Sequence, residues 1–199
     1  MKISLHYDER KKGVAYIIVD GDRWREVATS VFGKKPDLPK ECSSFEELEE
    51  KFQALEYRCA MRYALTLLSK AMNPTKKLIQ KLKTKGVSSS TAERVIERCQ
   101  KNRYLDDMAW AEATVRNEMR KGNGPRRIIM KLITNGIEKS LAEDVIEKEF
   151  SGATETIQRL IATKYKSRDL SSYEGRGAVI AALMRKGFDL TDIEGALTQ

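Results

Sequence analysis

Two adjacent carboxylates, Asp106 and Asp107, are the residues whose type and spacing first suggest chemistry. Such a pair can hold a metal ion or divide acid and base roles between its members. Both stand, however, where an amphipathic helix is predicted to begin, with an apolar face from Met108 to Met119. Asp106 as N-cap and Asp107 in the first turn would satisfy free amides and the helix dipole. We interpret the pair as a helix start and keep a metal or acid–base site as the alternative.

Basic residues on both sides of a glycine–proline turn indicate a binding surface more strongly than the two aspartates indicate an active site. The turn Gly122-Asn123-Gly124-Pro125 is predicted to join two helices, because proline suits the first helical position. Cations at four-residue spacing lie on one face of each helix, where arginine can hold phosphates or carboxylates through paired hydrogen bonds. The alternative is a solvated face, but Glu118 is the one acid within this stretch. We call the six cations the central ridge: Arg116, Arg120, Lys121, Arg126, Arg127 and Lys131.

The composition indicates a basic helical protein. The chain has 199 residues, and only 7% of them are aromatic, which suits a helical protein with modest cores. Its formal net charge of +8 points to a polyanionic or acidic partner. The single histidine, His6, leaves few ordinary means of metal ligation or general-base catalysis, so we predict no enzyme activity, no metal and no cofactor. Trp110 is interpreted as a packing residue rather than a base-stacking platform, because its neighbours are alanines on a helix.

The cellular setting is predicted from cysteines and hydropathy. Cys42, Cys59 and Cys99 are odd in number and widely spaced, which favours reduced thiols in a cytoplasm over disulfides or a zinc site. No apolar run approaches the roughly 20 residues of a membrane helix. The polar amino end is not that of a signal peptide.

The first 43 residues differ from the rest. Alternation over Ile3–Tyr7, a β-branched run from Val14 to Val19, and Asp20-Gly21 predict a small β-hairpin region that packs on a helix. A long helix is predicted to follow, starting at a capping box formed by Ser44 and Glu47.

The remainder of the chain contains an internal repeat. The segment that starts at Gly86 matches the one that starts at Gly136 without a gap, and a weaker third copy starts at Gly187. Each glycine is predicted to end a helix in the left-handed conformation. A capping box is predicted after each glycine: Ser90 with Glu93, Ser140 with Glu143, and Thr191 with Glu194.

The repeat predicts the architecture. We expect a mainly α protein, a tandem array of three three-helix repeats with the small N-terminal β-hairpin region. The predicted parts are residues 1–43 for the hairpin region and linker, then residues 44–103, 104–151 and 152–199 for repeats 1, 2 and 3. Positive charge is concentrated in the first two repeats, so one extended basic surface is expected, to which repeat 1 contributes Lys76, Lys77 and Lys81.

Short helix pairs in a basic chain also suit DNA binding. The second helix of such a pair, Leu141–Phe150, carries more acid than base, which disfavours a base-reading helix in the major groove. Contact with DNA phosphates stays open.

The central motif resembles the hallmark of the RecX regulatory proteins, over about residues 56–199. The residues that carry the resemblance are Tyr104, Leu105, Asp106, Asp107 and Trp110, then Gly122, Gly124 and Pro125 with the arginines that follow. One departure is the stretch Asn73–Leu78, where that family tends to have a Ser/Arg-containing turn and an acidic residue, and this chain has two lysines.

The resemblance implies a cytoplasmic bacterial modulator of the RecA recombinase, active in recombination, DNA repair and the SOS response. Such proteins bind RecA and its filament on single-stranded DNA, and lower strand exchange and ATP hydrolysis without catalysis. We expect a monomer without membrane attachment, in which the central ridge and the repeat 1 lysines contact RecA or the DNA backbone irrespective of sequence. The alternative is a stand-alone basic nucleic-acid-binding protein that acts without RecA.

Overall fold

Three antiparallel strands and ten helices make up residues 1–198, the part of the chain that the computed structural model describes. The strands are β1 (Ile3–Tyr7), β2 (Val14–Val19) and β3 (Asp22–Ala28), in the sheet order β1-β2-β3. The helices up to the central motif are α1 (Thr29–Phe32), α2 (Phe45–Lys70), α3 (Thr75–Lys83) and α4 (Ser89–Lys101). The later helices are α5 (Asp107–Arg120), α6 (Pro125–Thr134), α7 (Lys139–Glu149), α8 (Ala153–Thr163), α9 (Tyr173–Arg185) and α10 (Leu190–Leu197). The mainly α fold with a small N-terminal sheet is confirmed.

The sheet closes at the predicted turn and packs on the long helix. Asp20 and Gly21 have φ angles of 49° and 100°, the left-handed values that a tight hairpin needs. The Trp24 ring meets the Phe52 ring of α2 edge-on at 5.1 Å between centroids. Ile17 and Val27 are buried in the same core as α2, α3 and α4. The hairpin region therefore shares one core with the first repeat, because a sheet of this size cannot bury both faces by itself.

Helix α2 begins as predicted. Ser44 Oγ accepts a hydrogen bond from the Glu47 amide at 3.2 Å, and the Glu47 carboxylate accepts from the Ser43 amide at 2.7 Å. The Glu47 amide is one that the first turn leaves without a helical partner, and the Glu47 side chain reaches back to the residue before the N-cap rather than to Ser44 itself.

The repeated glycines end helices as predicted, but the helices after them start earlier than predicted. Gly86, Gly136 and Gly187 have φ angles of 77°, 97° and 91°. The residue after each glycine is apolar and buried, so the chain turns at once into the next helix. The capping residues are thus Ser88, Glu138 and Asp189, of which only the serine makes a side-chain cap bond. The predicted boxes are wrong: Ser90 with Glu93, Ser140 with Glu143, and Thr191 with Glu194.

Each repeat has its own apolar core. One core lies among α2, α3, α4 and the sheet, a second among α5, α6 and α7, and a third among α8, α9 and α10. The chain divides into two compact units between Asp106 and Asp107, so repeats 2 and 3 lie in one unit. The finer division into residues 1–43, 44–103, 104–151 and 152–199 stays a prediction.

Candidate interaction surface

The turn between α5 and α6 positions the central ridge. Gly122 takes a φ of 70°, Gly124 precedes the helix, and Pro125 is the first residue of α6, as predicted. All six cations of the ridge are exposed residues, on α5, on α6 or on the turn between them. The structure therefore brings the predicted ridge together, and the acids around it decide what it can bind.

A buried carboxylate at the foot of the ridge holds two of its cations. Glu118 is only 4% exposed, and its Oε1 accepts hydrogen bonds from Lys131 Nζ at 2.8 Å and Lys121 Nζ at 2.9 Å. Its Oε2 accepts from Asn123 Nδ2 at 2.6 Å. Burial raises the pKa of Glu118, but these three hydrogen bonds outweigh it and lower the pKa to about 2. The two lysines are thereby oriented, and their charge is partly neutralised.

Helix α7 supplies a further acid to the ridge. Arg116 Nη1 donates to Glu149 Oε2 at 2.7 Å, and beside it Lys148 Nζ donates to Glu112 Oε1 at 2.9 Å. The two ion pairs cross between α5 and α7 in opposite senses, and each adds at most about 1 kcal/mol to the packing of these helices. The acidic character of α7 argued against base reading in the sequence, and here one of those acids pairs with Arg116.

The two arginines that open α6 contact the end of α9. Arg126 forms an ion pair with Asp189, whose Oδ1 is shielded from solvent, although the pair lacks hydrogen-bond geometry. Arg127 Nη1 donates to the Arg185 carbonyl at 3.3 Å. From the other side, Lys186 Nζ donates to the Gly122 carbonyl at 2.9 Å. These arginines therefore join repeat 2 to repeat 3 as well as facing solvent.

The main chains of the two repeats also bond directly. The Gly124 amide donates to the Lys186 carbonyl at 2.8 Å, and the Arg126 amide donates to the Gly187 carbonyl at 3.1 Å. The amides at the start of α6 thus meet the carbonyls at the end of α9, so the positive end of one helix dipole lies at the negative end of the other. These two amides are therefore not free to bind an anion at this helix start.

Arg120 is a ridge cation without a carboxylate partner. Its Nε donates to the carbonyl of Arg116 at 3.4 Å, and none of the ion pairs of residues 1–198 includes it. Four of the other cations are paired with three carboxylates, so the ridge is less positive than its sequence indicates.

The lysines of repeat 1 lie in the other unit, on α3. Lys81 Nζ donates to Asn73 Oδ1 at 2.7 Å, and Lys76 and Lys77 are exposed. The extended basic surface across repeats 1 and 2 stays a prediction.

The central motif spans the boundary between the two units. Leu105 is 5% exposed and belongs to the first core, whereas Trp110 is partly buried against the second core, which supports packing as its role. Helix α5 begins at Asp107, directly after Asp106, as predicted. Tyr104 is 53% exposed. The motif therefore combines a helix start with anchors for two different cores.

Sequence reasoning missed the partners that come from distant parts of the chain. Glu149, Asp189 and Lys186 reach the ridge only through the packing of α7 and α9. No spacing in the sequence indicates these contacts. The three cysteines are free and buried. Within residues 1–198, no cluster of three or more His, Cys, Asp or Glu side chains is arranged to hold a metal, and no helix has the length and apolarity needed to cross a membrane.

Comparison with known protein families identifies two domains in the chain. The family model of the RecX first three-helix domain matches residues 60–99, and that of the RecX second three-helix domain matches residues 106–146. These ranges contain α3, most of α4 and the end of α2 in the first case, and α5, α6 and most of α7 in the second.

Relatives and solved structures agree with these domains. "Regulatory protein RecX" of Bacillus licheniformis is 32% identical over 139 residues, which are 68% of this chain and 53% of that protein. The same-named protein of Vibrio campbellii is 38% identical over 63 residues, 32% of this chain and 41% of that protein. The aligned segments thus span about half or less of these relatives.

Two crystal structures share the fold. A "regulatory protein RecX" is 22% identical with a TM-score of 0.69, over 100% of this chain and 99% of the other. RecX from Lactobacillus salivarius is 24% identical with a TM-score of 0.66, over 73% of this chain and 96% of the other.

Proposed function

The chain belongs to the RecX family of regulatory proteins, and on that premise we propose that it binds RecA and the RecA–single-stranded-DNA filament and inhibits the recombinase. Bound to the filament, it lowers ATP hydrolysis and strand exchange, and so limits recombination, DNA repair and the SOS response. The observation that carries the proposal is the pair of RecX three-helix domains, the second of which presents the central ridge on α5 and α6.

The proposed action is binding without catalysis, by a monomer in the bacterial cytoplasm. The aspartates that could have formed an active site begin α5, and the ridge beyond them presents cations on an ordered support. A rigid positive surface that touches adjacent filament subunits or DNA phosphates would resist the subunit motions linked to ATP turnover. The repeat 1 lysines Lys76, Lys77 and Lys81 supply a second contact of the same kind.

The test measures filament binding and RecA activity together. The chain should co-sediment with RecA filaments on single-stranded DNA and lower their rate of ATP hydrolysis. Failure to co-sediment, or an unchanged rate at saturating concentration, would remove the proposal.

The ridge is tested by Arg120→Glu, because this arginine has no carboxylate partner to strand. Arg159→Glu is the matched control, since it makes the same charge change at an exposed position of α8 that is not a member of the ridge. Weaker inhibition is expected from Arg120→Glu alone. Equal inhibition by both variants would take Arg120 out of the contact.

The second candidate, a nucleic-acid-binding protein that needs no RecA, is favoured by the net charge of +8. The rate of RecA ATP hydrolysis separates the two, read beside a gel-shift titration over a range of salt without RecA. Direct binding to DNA weakens steeply with salt through counterion release and is compatible with both candidates. Salt-dependent DNA binding by a chain that leaves RecA ATP hydrolysis unchanged favours the second candidate, and a lowered rate favours the first.

A further inference from the structure

A groove on repeat 3 is lined by five cations. It lies along α9 and the segment after α8, with one contribution from α6, and its volume is about 740 Å³. Its lining includes three alanines of α9, whose small side chains leave the floor open, and within residues 1–198 it includes no carboxylate. We call it the third-repeat groove, and its charged members are Arg127, Lys164, Arg168, Arg185 and Lys186.

Two of these cations are fixed at the inner wall. Lys186 Nζ donates to the Gly122 carbonyl at 2.9 Å, and Arg127 Nη1 donates to the Arg185 carbonyl at 3.3 Å. Both acceptors are main-chain carbonyls, so neither positive charge is cancelled by a carboxylate. Burial, followed by the positive charges of Lys164 and Arg127, lowers the pKa of Lys186.

The other three cations carry no counter-charge. Lys164, Arg168 and Arg185 are exposed, and no ion pair within residues 1–198 includes them. Asp169, the acid that follows Arg168 in the sequence, turns one carboxylate oxygen into its own loop, where the amide and hydroxyl of Ser171 donate to it at 2.9 and 2.6 Å. Like charges held this close repel each other, and an anion between them would relieve the repulsion.

The sequence of repeat 3 hides this groove because its charges almost balance. In the folded chain the acids and the cations lie apart. Asp189 forms an ion pair with Arg126, and Asp169 accepts hydrogen bonds from its own loop, while the cations line the groove beside α9. The positive surface is thus made by the packing of the repeat rather than by a basic run.

We infer that the third-repeat groove binds the phosphate backbone of single-stranded DNA. Guanidinium groups take phosphate oxygens in pairs, and the ammonium groups add charge without demanding one geometry. The groove is many times larger than the ~30 Å³ share of a water molecule, so it has room for more than one phosphate group. Tyr165 is partly buried in the same lining, where its ring packs against the third core and lies 5.9 Å from Lys164 Nζ.

The choice of single-stranded DNA rests on the proposed function, and the groove deepens it by adding a DNA contact on repeat 3 that shares Arg127 with the central ridge. The test therefore uses the full chain and a labelled oligothymidylate with no RecA present. The groove variant is Arg168→Gln with Arg185→Gln. The matched control is Arg159→Gln with Arg176→Gln, which removes the same charge from repeat 3 at positions outside the groove lining.

The control should bind like the parent chain, and the groove variant should bind several-fold more weakly. The plot of log binding constant against log salt should become shallower by about 1.4 for the groove variant, since each single-strand phosphate contact contributes about 0.7. Arg168→Gln alone, in the exposed loop before α9, should show about half of that change and guards against a folding defect in the double variant.

Three results would overturn the inference. One is the same affinity and salt slope for the groove variant and the control. A second is saturable binding of inorganic phosphate to the groove by a chain that does not bind the oligonucleotide. A third is a groove variant that keeps oligonucleotide binding but no longer co-sediments with RecA filaments, which would assign the groove to a protein surface. Oligonucleotide binding that depends on the groove while RecA activity is unaffected would instead keep the inference and reject the proposed function.

Discussion

Gly124 and Gly187 touch main chain to main chain, although 62 positions separate them in the sequence. A Cβ atom on Gly124 would lie 2.5 Å from the carbonyl carbon of Gly187, closer than any real side chain is found. This contact lets the Gly124 amide reach the Lys186 carbonyl at 2.8 Å. The second glycine of the central motif is therefore required by the docking of repeat 2 on repeat 3.

Gly124→Ala should lower the free energy of unfolding by about 1–3 kcal/mol, since the added methyl group must push two main chains apart. Gly177→Ala is the control, because its Cβ would meet no atom within 4 Å on helix α9. It should instead add up to about 1 kcal/mol through helix propensity. Urea denaturation measures both, and equal effects would contradict the close contact.

The Glu118 carboxylate should make stability depend on acid. Its pKa of about 2 in the folded chain lies below the ordinary value of 4.5, so its contribution is complete above about pH 5 and is lost as the pH falls towards 2. That contribution amounts to at most about 3 kcal/mol. Denaturation of Glu118→Gln should show a deficit at pH 7 that shrinks at pH 3. Glu143→Gln, at an exposed carboxylate of α7, should leave the acid dependence of the parent chain unchanged.

Arg126 and Asp189 should be energetically coupled. Removal of the guanidinium in Arg126→Ala leaves a shielded carboxylate oxygen without its cation, whereas Asp189→Asn alone removes the charge that needs pairing. A double-mutant cycle by thermal or urea unfolding should give a coupling energy of about 0.5–1.5 kcal/mol. Additive effects would show that the ion pair contributes nothing.

Ser88, not Ser90, should matter for the start of α4. Ser88 Oγ accepts from the Thr91 amide at 3.3 Å, and its hydroxyl donates to the buried Glu56 carboxylate. Ser88→Ala should lower the free energy of unfolding by about 1–3 kcal/mol, because the Thr91 amide loses its cap and the buried Glu56 carboxylate loses a donor. Ser90→Ala should stay within about 0.5 kcal/mol. A larger loss from Ser90→Ala would restore the cap that the repeat pattern predicts.

The sequence predicts what local chemistry decides. Glycine after a basic helix, proline after Gly124 and an acid pair before an apolar face each act within a few residues, and the helix ends and the start of α5 follow them. The helix starts after Gly86, Gly136 and Gly187 were misplaced, since burial of the next apolar residue outweighs the serine and threonine that lie further on. Local sequence patterns thus predict where these helices end, but not where the next helices begin.

The acidic partners of the ridge arginines could not be predicted from local sequence patterns. Arg116 finds Glu149 on α7, and Arg126 finds Asp189 before α10, in each case because helices pack side by side. Charge counted along the sequence therefore overstated the ridge and overlooked the third-repeat groove.

The join between α6 and α9 also bears on how the chain is made. During synthesis, α6 leaves the ribosome well before Lys186 and Gly187 do, so the Gly124 and Arg126 amides have only water as acceptors until then. Repeat 2 can collapse around its own core in that interval, but the start of α6 is completed only by residues synthesised about 60 positions later. Repeats 2 and 3 thus complete their folding together. In a nascent chain that stops between them, the start of α6 lacks the two carbonyl acceptors that repeat 3 supplies.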